Sequence, residues 1–415
     1  MNKKGPPVSF NQSTSQSFNH STIQPVNHSI LMLQHLLKLI WNKKKAHMLL
    51  IVEIWASFMV LFGLATLIVV NVGNYREPLG FSYERVWAIG LNTNQDTTEL
   101  ANKVQRIVQR LKAYPEVESV TRMSGNFPFS ANQMNNGIEY NKRNVLADHY
   151  TTDENFAKTL EMPVVAGRWF RHTDSVGKYW PIVINQKAKE GLFGDENALG
   201  KVVAEKFKVV GVVDNFKAKG EFMSNKPAYF ELVNAKESWN NTMLIRVKPG
   251  TDAVFEAKVV KDIATMVKGW SVEVDYLTDS RKNQHNLVMV PVIIASIISG
   301  FLLINVALGL FGVLNLSIAK RRGEIGLRRA IGATGSGISS QFIGEIWVLA
   351  TFALLIGLLF AAQFPILNVF DLATGVYVTA ILIAVGVIYG IVTLCALFPS
   401  RQAALIQPAV ALHEE

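Results

Sequence analysis

Cysteine is almost absent: Cys395, within an apolar run, is the one thiol in 415 residues. That excludes a disulfide framework and a thiolate metal site. His149, His172 and His285 stand far apart, with no histidine pair at i,i+4 and no Cys-x-x-Cys beside them, so no metal site is expected. No Gly-x-Ser-x-Gly elbow occurs, and no carboxylate pair stands out from the scattered acids, so no catalytic residue is expected either. The stretch Gly194–Lys201 approaches the pattern of a phosphate-binding loop but fails it. Its glycines are one residue too far apart, Val202 stands where Ser or Thr must meet magnesium, and Asp195 and Glu196 would repel phosphate. It reads as a turn, and no cofactor is expected.

What the chain has in excess is apolar surface. Hydrophobic residues make up 49% of it and collect in four runs, 48–72, 288–316, 342–362 and 376–398. Each is long enough to cross about 30 Å of hydrocarbon at about 1.5 Å per residue. The first run holds one acid, Glu53. A mid-membrane carboxylate costs roughly 2.5–3.5 kcal/mol, whereas about fifteen Leu, Ile, Val and Phe residues supply roughly 0.3–0.6 kcal/mol each. The run still inserts, with Glu53 about two turns from the basic flank and able to reach toward water. A cleaved signal peptide is disfavoured by the length of the run and the missing small-x-small site after it.

The net charge of +9 has a membrane cause. Lys43-Lys44-Lys45 precede the first run, Lys320 to Arg329 separate the second from the third, and Arg401 follows the fourth, whereas the connector 363–375 carries Asp371 and no Lys or Arg. Cationic short loops stay cytoplasmic. Both termini and the loop 317–341 are therefore expected inside, the domain 73–287 outside, and nucleic acid is not an expected partner. The fold class that results is an α-helical four-span membrane protein with a large α+β periplasmic domain inserted between spans one and two.

Residues 1–31 are rich in Ser, Asn, Gln and His and too polar to bury a core; the reading is a disordered or mis-annotated leader, with Met32 as the true start. From Met32, Leu33, Leu36, Leu37, Ile40 and Trp41 recur at helical spacing, so 32–47 is expected to lie as an amphipathic helix on the inner leaflet. In the domain 73–287, strands are expected at 86–91, 117–121, 182–185, 207–213, 243–247 and 271–276, and helices at 97–113 and 253–267. Two strand–helix–strand passages thus bracket an irregular middle.

The loop 317–341 carries an amphipathic segment, Arg321-Arg322-Gly323-Glu324-Ile325-Gly326-Leu327-Arg328-Arg329-Ala330-Ile331-Gly332-Ala333-Thr334. Ile325, Leu327 and Ile331 offer an apolar ridge flanked by cations, suited to docking a partner with charge setting the register. Spacing alone leaves open a solvated loop whose bases only fix topology.

That segment resembles the signature of MacB/FtsX-type permease subunits of ABC transporters, where it is a cytoplasmic coupling helix seated in a groove of the ATPase. Gly344-Glu345 with Gly357-Leu358, the tail Phe398-Pro399-Ser400-Arg401 and Gln407-Pro408-Ala409-Val410, and the ordered pieces Gly167-Arg168-Trp169-Phe170, Val183-Ile184-Asn185, Leu199-Gly200-Lys201 and Val209–Val213 are similar to the same family. The resemblance covers nearly everything after Met32; Gly323 departs from it, standing where a charged residue is usual and costing a helix about 1 kcal/mol.

The resemblance implies coupling residues Arg321, Arg322, Glu324, Ile325, Leu327, Arg328, Arg329, Ile331 and Gly332, and span-packing residues Glu345 and Gly357. It further implies a non-catalytic subunit of the bacterial inner membrane, paired with a separate cytoplasmic ABC ATPase. Either a homodimer or a heterodimer with a paralogous permease would form, working with a periplasmic adaptor and an outer-membrane channel. The second run, ~43 Å as helix, is long enough to continue outward as a stalk. Few polar groups line the runs, which disfavours a hydrophilic pore. The implied function is mechanotransmission: ATPase closure drives a periplasmic domain that extrudes an antimicrobial compound, peptide or lipoprotein. The alternative is an FtsX-type relay controlling a cell-wall hydrolase or sensor kinase. In either case 399–415 would be a cytoplasmic tail.

Overall fold

A computed structural model describes residues 44–234 and 241–407. The expected leader 1–31, most of the expected amphipathic helix 32–47 and the end of the expected tail 399–415 lie outside the described residues. Among the described residues, four helices are long and apolar enough to cross a membrane: α1 (Lys44–Arg76), α6 (Leu277–Lys320), α8 (Gly335–Ala361) and α10 (Thr374–Ala404). All four are longer than the apolar runs of the sequence, α8 by an extension at its N-terminal end alone. Helix hydrogen bonding continues through polar flanks, whereas hydropathy marks only the part suited to lipid. At 44 residues, α6 is about 66 Å long.

Between α1 and α6 lies the α/β domain, built on an 11-stranded sheet. Its first and last passages interlock. β1 (Val86–Asn92), α2 (Leu100–Lys112) and β2 (Val117–Met123) make one unit; β10 (Thr242–Val247), α5 (Ala253–Met266) and β11 (Ser271–Tyr276) make the other. The strands run β11-β1-β10-β2, all neighbours antiparallel, so each helix crosses over a strand of the other unit. Trp87, Ile89, Leu91, Met243 and Ile245 face α2 and α5, packing on Ile107, Leu111, Val259 and Ile263. Val86, Ala88 and Leu244 point the other way into an aromatic core with Phe81, Phe129, Tyr150, Phe156, Phe216 and Phe230. With both faces covered, β1 reads as a continuous apolar run rather than an alternating one.

The middle, expected to be irregular, is not. It holds a hairpin of β3 (Asn135–Tyr140) and β4 (Arg143–Thr152), the short α3 (Phe156–Thr159) and β5 (Val164–Gly167), then β6 (Trp180–Asn185) and α4 (Gln186–Phe193). The two-residue β7 (Val202–Val203), β8 (Phe207–Val213) and β9 (Ala228–Leu232) complete it. Parallel pairings of β4 with β9 and of β6 with β8 unite residues far apart in sequence. A separate core of Ile138, Ile182, Ile184, Leu192, Phe193, Val209 and Tyr229 fills this part. The polar hairpin, Asn-Asn-Gly-Ile-Glu-Tyr, lacks the apolar alternation that marks a strand in sequence, because most of its side chains stay in solvent. Helix α2 starts three residues later than its periodicity suggests, because Asp96 takes the Thr98 amide and hydroxyl into a turn. Gly194–Lys201 is a turn, with the Gly200 amide donating to the Val209 carbonyl.

Contacts divide the chain into two units. One comprises Met59–Phe301 and Ala361–Ala384: the α/β domain, the adjoining parts of α1 and α6, and the α8–α10 connector with α9 (Gln363–Ile366). Within it Phe62 meets Phe364 edge-on at 5.4 Å. The other holds 44–58, Leu302–Phe360 and 385–407 among the described residues. Here Leu50, Ile54 and Phe58 of α1, Val306 and Leu310 of α6, Leu349, Ala353 and Leu354 of α8, and Ile388 and Val392 of α10 are buried. Glycines admit close approach: a Cβ on Gly357 would lie 2.4 Å from Phe58 Cδ1, and one on Gly309 2.9 Å from Glu53 Oε2.

Candidate functional site

The segment singled out by sequence forms α7 (Arg322–Ala330), a helix despite its two glycines. Its C-terminal end is tightly specified. The Ala333 amide donates to Arg328 O at 2.9 Å and the Gly332 amide to Arg329 O at 3.2 Å, a Schellman closure. That closure needs a left-handed residue, and Gly332 supplies it at φ +99°. Thr334 then caps α8, its Oγ1 accepting the Gly337 amide at 3.2 Å. The turn from α7 into α8 is therefore fixed by local chemistry, which places Arg321 and Arg328 opposite the first turns of α8.

A chain of polar contacts joins the two helices. Arg321 Nη1 donates to Glu345 Oε1 at 2.8 Å, with both side chains less than a fifth exposed. Gln341 Nε2 reaches the same oxygen at 3.3 Å, and Gln341 Oε1 accepts Arg328 Nη1 at 2.9 Å. Arg328 also pairs with Glu324 one turn back. Four residues thus brace α7 on α8, with Glu324 steadying Arg328 from within α7. Arg321, expected to serve coupling, and Glu345, expected to serve span packing, form one ion pair. Gln341 carries no motif of its own in the sequence, and its place one turn before Glu345 is the one local signal that ties it to this pair.

The apolar ridge also changes. Ile325 is only 4% exposed and packs against the chain itself, so it cannot belong to an outward ridge. Leu327 at 54% and Ile331 at 78% remain outside, beside the exposed Arg322, Glu324 and Arg328. A nine-residue helix with period 3.6 cannot point 325 and 327 the same way; they lie about 200° apart. Arg329 is half-buried, and Gly332 serves the turn. Gly357 sits in α8 with its Cα against Phe58. Among the described residues, no group of three or more His, Cys, Asp or Glu side chains could hold a metal ion.

Comparison with known proteins agrees with this architecture. Residues 49–262 match the MacB-like periplasmic core domain, and residues 296–408 match the FtsX-like permease C-terminal region. The macrolide export ATP-binding/permease protein MacB of Pasteurella multocida is 27% identical over 300 residues, 67% of this chain and 44% of that protein. The MacB protein of Neisseria meningitidis is 24% identical over 292 residues, 67% of this chain and 45% of its own length. The chain thus spans about half the length of the curated relatives it matches. A crystal structure of the periplasmic region of MacB from Actinobacillus actinomycetemcomitans, 14% identical, covers 51% of this chain and 98% of its own at a TM-score of 0.37, too loose a likeness to add weight. The core-domain match alone takes in just over half of the residues and the permease match continues it through the last three spans: the chain belongs to the MacB/FtsX-type permeases of ABC transporters.

Proposed function

We propose that this chain is the membrane subunit of an export system in which a separate cytoplasmic ABC ATPase drives a periplasmic domain. In this reading α7 lies in the cytoplasm with both termini, 317–341 is the coupling loop, and 73–287 works as the periplasmic core domain. The observation that carries it is the division of labour in α7. Arg321, Gln341, Glu345 and Arg328 fasten the helix to α8, while Leu327 and Ile331 stay exposed in a setting of charge. A helix held rigidly from behind, with an apolar pair and cations in front, passes a push from a soluble partner into α8 rather than yielding to it. Two copies, or this chain and a paralogue, would present two such helices to a closing ATPase dimer. The periplasmic substrate is then an antimicrobial compound, peptide or lipoprotein, handed to an adaptor and an outer-membrane channel.

The test replaces Leu327 and Ile331 by Asp and measures ATPase co-purification from membranes. Association should fall at least tenfold while membrane yield stays unchanged. Undiminished association would refute the docking role. Recovery of a cell-wall hydrolase in place of an adaptor would favour the FtsX-type relay instead.

A further inference from the structure

Where α1 and α6 meet the α/β domain, one dipeptide touches both. The loop after β8 carries Lys217, Glu221 and Phe222. Phe222 stacks on Tyr75 of α1, ring centroids 5.4 Å apart at 25°, and meets His285 of α6 edge-on at 4.8 Å. Its carbonyl accepts Asn74 Nδ2 at 2.7 Å. Glu221 holds Arg281 of α6 through Oε1, 2.5 Å from the guanidinium Nε, and its own carbonyl accepts Lys217 Nζ at 2.7 Å. The same ammonium donates at 2.5 Å to Asn74 O, near the end of α1. Lys217 is 2% exposed; burial pulls its pKa down, and its two hydrogen bonds to carbonyls offset part of the cost of holding the ammonium there. A second loop adds a grip on α6: Gln284 Nε2 donates to Phe129 O at 3.0 Å, and Phe129 holds a left-handed φ of 66° while fully packed.

We propose that Glu221 and Phe222 are positioning residues that lock the domain-proximal ends of α1 and α6 to each other at one fixed separation, so that the two helices move the α/β domain as a pair. Phe222 engages both helices directly, by ring and carbonyl, and Glu221 holds α6 by its carboxylate and α1 through the Lys217 ammonium that its carbonyl accepts. Loss of either therefore loosens the link between helices and not only the loop. The proposal rests on the transmission reading for its purpose, but the geometry it asserts can be tested without it.

The full chain is used in lipid nanodiscs with Cys395→Ser and nitroxide labels at Gly73→Cys and Leu287→Cys, both exposed positions. Pulsed dipolar spectroscopy reads the label separation. The parent should give one narrow distribution, Glu221→Ala/Phe222→Ala one at least twice as broad, and Glu221→Gln/Phe222→Tyr, which keeps an acceptor for Arg281 and a ring for Tyr75, the parental width. If the double alanine variant does not fold, the single variants replace it and should each broaden the distribution. Alanine variants as narrow as the parent would overturn the proposal. Adding the partner ATPase with a non-hydrolysable nucleotide should shift the parental distance. Absence of that shift in the parent would count against the transmission reading, while the resting widths still decide the lock.

Discussion

Asp153 offers a measurable consequence of burial in the α/β domain. It sits between β4 and α3 with its carboxylate accepting the Thr121 hydroxyl and the amides of Arg122 and Asn155, each amide at 2.9 Å. Those bonds favour the charged form, yet burial outweighs them and pushes the carboxyl up to about 6 from 3.8. The folded state therefore holds this proton more tightly than the unfolded chain. Its contribution to stability is complete below pH 3.8 and is lost as pH rises through about 6. A shift of this size corresponds to about 3 kcal/mol, of which about 2 kcal/mol falls between pH 4.5 and 7.5. Asp153→Asn fixes the neutral form and keeps an acceptor for the amides. The assay is denaturant unfolding of the α/β domain's fluorescence in the full chain at both pH values, where the Trp169 indole donates to the Asp153 carbonyl at 3.1 Å. Relative to Asp153→Asn, the parent should lose about 2 kcal/mol on going to pH 7.5. A gap between the two proteins that does not change with pH would refute the reasoning.

Two further outcomes concern the helices. Gly357→Ala would place a methyl 2.4 Å from the Phe58 ring, inside its van der Waals radius. Overpacking of this kind costs roughly 1–3 kcal/mol, so the extracted protein should lose heat resistance and recover it with Phe58→Leu; unchanged melting of Gly357→Ala would show that the helices part freely. For the Arg321–Glu345 pair, removing one partner leaves a charge in a half-dry site, and Arg321→Met alone should destabilise by about 3 kcal/mol, whereas Arg321→Met/Glu345→Met should come within about 1 kcal/mol of the parent. A thermal-shift series would measure both, and equal losses in single and double variants would contradict a paired role.

Much of this molecule is written in one dimension because lipid reads it that way. Apolar runs longer than a bilayer and cations at their short flanks mark four helices without any tertiary contact, and the α7 segment announces itself by composition. The helical periodicity of 100–112 and 253–266 is legible because one face of each helix meets an apolar core. What sequence could not supply is partnership between distant residues. The β3–β4 hairpin is polar, and β4 pairs on its other side with β9, some eighty residues later, a partnership of which local pattern carries no trace. Ile325 shares its composition with Leu327 and Ile331, yet the seating of α7 on α8 turns it inward. Arg321 meets Glu345 across 24 positions, and Glu221 and Phe222 gather two helices that lie on either side of the whole domain in sequence. Hydropathy and periodicity are local sums, so the chain alone determined its spans, its charged loop and its family; which side chains touch depends on how the backbone returns, and only the folded structure decided that.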